Sequence, residues 1–193
     1  MRTDEARKGH PGNIFLLGFS GCGKSTIGPL LAERLQRRFV DSDAEIERRA
    51  GRPVGAIFED RGEAAFRKLE TEVLRELTAE SCDMVVALGG GAVTVPCNRR
   101  MINRSGVSIY LSCSVRELER RLRGTTDRPL LAISNRQACS SLRRIRQERI
   151  AYLLSKRRHL YRASDFTVAT TNRSPRETVD EIIVKLRRKD ADH

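Results

Sequence analysis

The run Gly18-Phe19-Ser20-Gly21-Cys22-Gly23-Lys24-Ser25-Thr26 carries the densest chemistry in this chain. Gly18, Gly23, Lys24 and Ser25 fill the defining places of G-x-x-x-x-G-K-[ST], a pattern that needs a strand before it and a helix after it. Both flanks are present: Asn13–Leu17 reads as a short buried strand, and Thr26–Leu35 as a helix with Pro29 tolerated in its early turns. Glycines let backbone N–H groups of Gly21, Cys22, Gly23, Lys24, Ser25 and Thr26 converge on phosphate oxygens, and the helix start adds positive potential. Lys24 supplies a mobile charge, and Ser25 can offer its hydroxyl to Mg²⁺. Cys22 reads as a small residue filling the turn.

Two further features follow strand-like segments. Phe39-Val40 runs into Asp41-Ser42-Asp43, and the apolar Met84–Leu88 runs into Gly89-Gly90-Gly91. At i, i+2 beyond a strand, the two carboxylates can point to one side. Asp41 is assigned to the Mg²⁺ shell and Asp43 to an acceptor hydroxyl; both are also residue types that begin a helix, here the one expected near Ala44–Arg49. The glycines allow a close backbone approach to a ligand and N–H donation to it. No Asn-Lys-x-Asp occurs, which disfavours a guanine-nucleotide switch. The strand ending at Leu88 meets glycine rather than Asp, which disfavours a motor ATPase.

The elements that must place these groups alternate. Residues 54–80 read as mostly helix with a break near Gly62, Val107–Leu111 as a strand, and about 114–123 as a basic helix. Residues 124–137 read as a lid too long for a mere connection. A further helix is expected to bury Leu142, Ile145, Ile150 and Leu153. Phe166–Ala169 reads as a last strand, and Ser174-Pro175-Arg176-Glu177 opens a helix in capping-box form. The expected fold is α/β: a three-layer α/β/α arrangement on a five-stranded parallel sheet, with a mobile lid. One domain spans 13–188, with substrate-binding helices at 44–80, between tails 1–12 and 189–193. Ligands of such sheets gather beyond the carboxyl ends of the strands, where all three features lie.

The 193 residues carry a formal net charge of +12, and 99–162 holds 17 Arg and Lys against 4 acids. That excess fits a polyanion partner, a solvated set of helix faces, or a triphosphate site. With 5% aromatic residues and no Trp, the chain lacks interleaved aromatics for base stacking, which weighs against nucleic acid. Five scattered cysteines, none in C-x-x-C spacing, argue against structural zinc and a disulfide framework. No stretch approaches a membrane span, and no leader precedes the first strand; a reduced cytoplasmic enzyme, monomeric, is expected.

The ordered set Gly18–Thr26, Asp41-Ser42-Asp43, Gly51-Arg52, Ile57-Phe58, Gly62-Glu63, Phe66-Arg67, Gly89–Val93, Arg128-Pro129-Leu130-Leu131 and Arg157…Leu160-Tyr161 resembles the shikimate kinases over about residues 13–188. The resemblance implies a fold of the P-loop kinase type and ATP-dependent phosphorylation of the 3-hydroxyl of shikimate, with Asp43, Arg67, Gly90 and Arg157 holding the acceptor. It further implies that Arg128 reaches over ATP from the lid and that Arg173 flanks the adenine. Residue chemistry agrees: Arg67 and Arg157 could clamp a carboxylate, Gly89–Gly91 could approach a ring, and phosphoryl transfer needs positioning and charge neutralisation from Lys24, Arg128 and Mg²⁺. Asp43 would orient and deprotonate the attacking hydroxyl. Arg121, Arg123 and Arg158 are expected to be solvated surface residues. The family's Arg-x-Pro-Leu-Tyr stands here as Arg157-Arg158-His159-Leu160-Tyr161, which leaves open whether Arg157 or Arg158 faces the substrate; His159 is read as a partly exposed loop residue rather than a base. A gluconate-type kinase of the same fold and a basic nucleic-acid-stimulated ATPase are the rival readings.

Overall fold

Central strands of unbroken apolar character can be satisfied only where both sheet faces are covered, and that requirement sets the architecture. The computed structural model describes residues 12–79, 83–123 and 139–191. Five strands, β1 (Asn13–Leu17), β2 (Arg38–Asp41), β3 (Met84–Ala87), β4 (Gly106–Ser112) and β5 (Phe166–Ala169), form one sheet in the order β2-β3-β1-β4-β5. Every neighbouring pair is parallel. Every residue of β1 and β3 is buried, whereas the edge strands β2 and β5 alternate. Burying Phe15, Leu16, Val85 and Val86 on this double-covered centre stabilises each by roughly 1.5–3 kcal/mol.

The helices are α1 (Lys24–Arg34), α2 (Ser42–Ala50), α3 (Val54–Ala79), α4 (Pro96–Ser105), α5 (Val115–Arg121), α6 (Cys139–Arg162) and α7 (Pro175–Ala191). Pro29 lies inside α1 without ending it. Helix α3 is two helical segments meeting at Gly62, whose φ of 73° and ψ of 174° break the helical path as the sequence reading expects. Ser174 accepts from the Glu177 N–H while Glu177 accepts from the Ser174 N–H, completing the reciprocal cap of α7. That helix continues to Ala191, past the expected end at 188, and Lys189 pairs with Asp165.

Three local differences stand out. Helix α4, absent from the sequence reading, begins with proline at its first turn and buries only Asn98 and Ile102 fully, so it offers no periodic apolar stripe to read. Ile145 is 37% exposed rather than core, while Ile150 and Leu154 carry the buried side of α6. His159 is exposed within α6, not in a loop, because the helix runs unbroken to Arg162 once proline is missing. Residues 1–11, the Leu142 side chain and the lid expected at 124–137, with Arg128, lie outside the described residues. Among the described residues, no helix is long and apolar enough to cross a membrane.

Candidate active site

The carboxyl ends of β1, β2 and β3 open into one cleft of about 530 Å³. One end is the phosphate loop with Lys24, Ser25 and Asp41; the other holds Asp43, Arg67, Glu70, Gly89–Gly91 and Arg157.

At the phosphate end, the loop turns at Gly21 and Gly23, whose φ values of 81° and 108° favour glycine. Gly23 thereby presents the start of α1 to the cleft, and the Lys24 ammonium donates to the carbonyls of Gly18 (3.0 Å) and Phe19 (3.2 Å). Cys22 is fully buried and its N–H donates to the Phe19 carbonyl at 3.2 Å, so it fills and closes the turn. The Ser25 hydroxyl donates to Asp41 Oδ2 at 2.8 Å, while Asp41 Oδ1 accepts the Asp43 N–H at 3.1 Å. One Asp41 oxygen thus caps α2 and the other joins Ser25. This oxygen-only pair suits a hard cation that keeps waters and phosphate oxygens as its other ligands. Among the described residues no cluster of three or more His, Cys, Asp or Glu could hold a metal by itself.

At the acceptor end, the three glycines divide their roles. The Gly89 N–H donates to Ser42 Oγ at 3.0 Å and is not available to a ligand, contrary to the expected donation from all three. A Cβ at Gly89 would lie 2.5 Å from Glu70 Oε1 and 2.6 Å from Asp43 Oδ1, and one at Gly91 would lie 2.0 Å from an Arg67 nitrogen. Those two glycines make room for the site's own side chains. Gly90 alone is partly exposed to the cleft, and its Cβ position meets nothing closer than 3.5 Å.

Arg67 is held on three sides. Its Nη1 donates to Glu70 at 2.8 Å, and its Nε and Nη2 donate to Glu63 at 3.3 and 3.1 Å. Glu63 is half exposed and can give way to an incoming carboxylate; Glu70 is 1% exposed and stays. Burial pushes Glu70 up to about 7, against the opposing pull of Arg67, with the nearby Asp43 charge adding to the rise. Glu70 Oε1 and Ser20 Oγ are buried at this cleft with no hydrogen-bond partner among the described residues. The sequence reading missed Glu70, although its place on α3 between Phe66, Val73 and Leu77 puts it on the buried stripe.

A raised carboxyl pKa binds more protons in the folded than in the unfolded chain between about 4.5 and 7. The associated stability is full below the unfolded value and is lost as pH rises through about 7. Glu70→Gln removes this dependence. Unfolding free energies of the two proteins, measured by denaturant from pH 5 to 8.5, should diverge in favour of the variant as pH rises, by at most about 3 kcal/mol. Parallel curves would remove Glu70 from this titration.

Arg157 donates to the Gly90 carbonyl at 3.3 Å and lines the cleft, whereas Arg158 is exposed. Arg121 is the larger surprise. It donates to the carbonyls of Cys22 (3.3 Å) and Thr170 (2.9 Å) and to Glu117 (2.8 Å), bridging the phosphate loop to the end of β5. Expected on the surface, it is 24% exposed; nothing in the sequence separates it from Arg120, which pairs with the same Glu117 yet is 65% exposed. The two guanidiniums, Arg120 foremost, hold Glu117 down at about 2. Arg173 is exposed, pairs with Glu181, and lines a groove that also includes Arg116, Arg121 and Asn172. Arg123 is half exposed and paired with buried Glu119. Glu117, Glu119 and Glu148 thus pair with Arg120, Arg121, Arg123, Arg143 and Arg144, while the basic third quarter keeps a large positive excess.

A shikimate kinase family model matches residues 20–187. The chain belongs to the shikimate kinase family. It is 42% identical over 188 residues to a shikimate kinase from Chlorobium luteolum, covering 97% of this chain and 91% of that one. The shikimate kinase from Acinetobacter baumannii, solved in complex with shikimate, superposes with a TM-score of 0.81 at 38% identity, over 90% of this chain and 91% of that one. A gluconokinase from Sinorhizobium meliloti shares the fold at a TM-score of 0.56 and 22% identity, covering 96% and 97%. Shikimate kinase membership accounts for the five-stranded parallel sheet and for the cleft's position at its carboxyl edge.

Proposed function

We propose that this chain transfers the γ-phosphoryl group of MgATP to the 3-hydroxyl of shikimate, giving shikimate 3-phosphate. The observation that carries the reading is the single cleft holding a phosphate loop at one end and a carboxylate, two guanidiniums and an exposed glycine at the other. Backbone N–H groups of Gly21–Thr26 bind the phosphates, and Lys24 moves from the Gly18 and Phe19 carbonyls to the transferring group. Ser25 and Asp41 would hold Mg²⁺, which would neutralise developing charge on the phosphoryl oxygens. Asp43, at the start of α2, accepts the proton of the attacking hydroxyl. Arg67 and Arg157 bind the acid's carboxylate, Gly90 offers its N–H to the ring hydroxyls, and Gly89 and Gly91 make room for Asp43 and Arg67. Arg128 from the lid and Arg173 beside the adenine complete the assignment by family resemblance. The enzyme works in the cytoplasm as a monomer, in a single domain over 13–188.

ADP release measured with shikimate, gluconate and a panel of hydroxy acids tests the reading. Shikimate should be turned over fastest; better turnover of gluconate would overturn it. Stimulation by DNA or RNA in the absence of any acid would favour the nucleic-acid reading instead.

Arg67→Ala should raise KM for shikimate by roughly 10- to 100-fold with KM for ATP unchanged, because a charge-assisted contact made in ground and transition states alike is lost. Initial-rate kinetics in both substrates check this; an unchanged shikimate KM would place the carboxylate elsewhere.

A further inference from the structure

The Gly90 carbonyl receives two donors from one helix. Tyr161 Oη donates to it at 2.5 Å and Arg157 Nη1 at 3.3 Å. The two side chains are four residues apart, and because α6 is unbroken between them they share one helix face. Tyr161 is 1% exposed, and its ring stacks on Tyr110 of β4 at 5.1 Å and 16°. On its other side Gly90 lies against the phosphate loop, its Cβ position 3.5 Å from the Gly18 carbonyl oxygen and the Ser20 nitrogen. Gly90 is therefore where the acceptor loop meets the donor loop, and Tyr161 ties that junction to the sheet from behind.

We propose, on the shikimate kinase reading above, that Tyr161 is a positioning residue for the acceptor: its hydroxyl keeps the Gly90 carbonyl bonded, so that Arg157 can leave it for the substrate's carboxylate. A carboxylate offers a guanidinium an opposite charge and two parallel acceptors, where a neutral carbonyl offers a single bond, so a bound acid draws Arg157 away. The carbonyl left behind then retains the Tyr161 donor. Burial pushes the Tyr161 hydroxyl well above its ordinary range, which keeps it protonated as a donor. Without the hydroxyl, Arg157 is the remaining side-chain donor to Gly90 seen among the described residues. Moving it would orphan a carbonyl in the narrow space between two loops, a penalty that falls on acid binding.

The test is Tyr161→Phe, which keeps the stacked ring and removes only the donor. KM for shikimate should rise about 5- to 50-fold, with KM for ATP and the melting temperature nearly unchanged. Because Tyr161 acts through Arg157, the same substitution in an Arg157→Ala background should change shikimate KM by less than about twofold. An unchanged shikimate KM in Tyr161→Phe overturns the proposal. So does an equal multiplication of KM in both backgrounds, or a fall in melting temperature with both substrates' KM affected alike, which would assign Tyr161 to packing alone. Turnover of shikimate by the unaltered chain, measured alongside, tests the parent reading separately.

Discussion

Asp43→Asn should lower kcat by roughly 10²- to 10⁴-fold, the span that a general base contributes, while leaving ATP affinity intact. The asparagine keeps the backbone N–H that Asp41 Oδ1 accepts, so the Ser25–Asp41 pair at the phosphate end is undisturbed. It also fits the space over Gly89, since the oxygen nearest that backbone is replaced by an atom of similar size. What is lost is the negative charge that receives the proton. Initial rates with saturating shikimate and MgATP, together with nucleotide affinity from calorimetry, check the prediction. A kcat within tenfold of the unaltered enzyme would assign the proton to another group and leave Asp43 as a hydroxyl anchor.

Lys24→Ala should lower kcat by about 10²- to 10³-fold and, unlike Asp43→Asn, should also weaken ATP binding. Two roles disappear together. The ammonium would no longer follow charge onto the transferring oxygens, and the carbonyls of Gly18 and Phe19 would lose their donor at 3.0 and 3.2 Å. The loop whose N–H groups must converge on phosphate is then less well held. Shikimate KM should stay near its original value, because Arg67 and Arg157 come from α3 and α6 and do not depend on the lysine. Measuring both KM values separates the ends of the cleft: Lys24 acts on the nucleotide side and Arg67 on the acid side. An unaltered ATP KM with normal kcat would show that backbone groups alone neutralise the phosphates.

Both substitutions concern residues readable before any coordinates, and the reason is local. A phosphate loop is defined by glycines and a lysine within nine consecutive residues, and its flanks announce themselves through apolar runs and helix starts. Asp41 and Asp43 follow a strand at a spacing that puts them on one side. The sheet was equally legible, because strands buried on both faces must be continuous in apolar character, as β1 and β3 are. Even the break in α3 is written in Gly62, whose φ of 73° strains other residues.

Burial and pairing across the fold were not legible, because they depend on which surfaces meet. Glu70 and Glu63 both flank Arg67 at helical spacing, yet one is 1% exposed and the other 52%. Only the packing of α3 over Gly89 separates the buried carboxylate from the solvated one. Arg120 and Arg121 are adjacent and share Glu117, and only the second turns toward the phosphate loop. Likewise, only α6 running straight past His159 brings Arg157 and Tyr161 together onto the Gly90 carbonyl. Residue types and short spacings thus determined which chemistry this chain can do and where on a parallel sheet it sits. The tertiary structure decided which of many identical guanidiniums and carboxylates take part, because desolvation and long-range hydrogen bonds belong to neighbours that the linear order does not name.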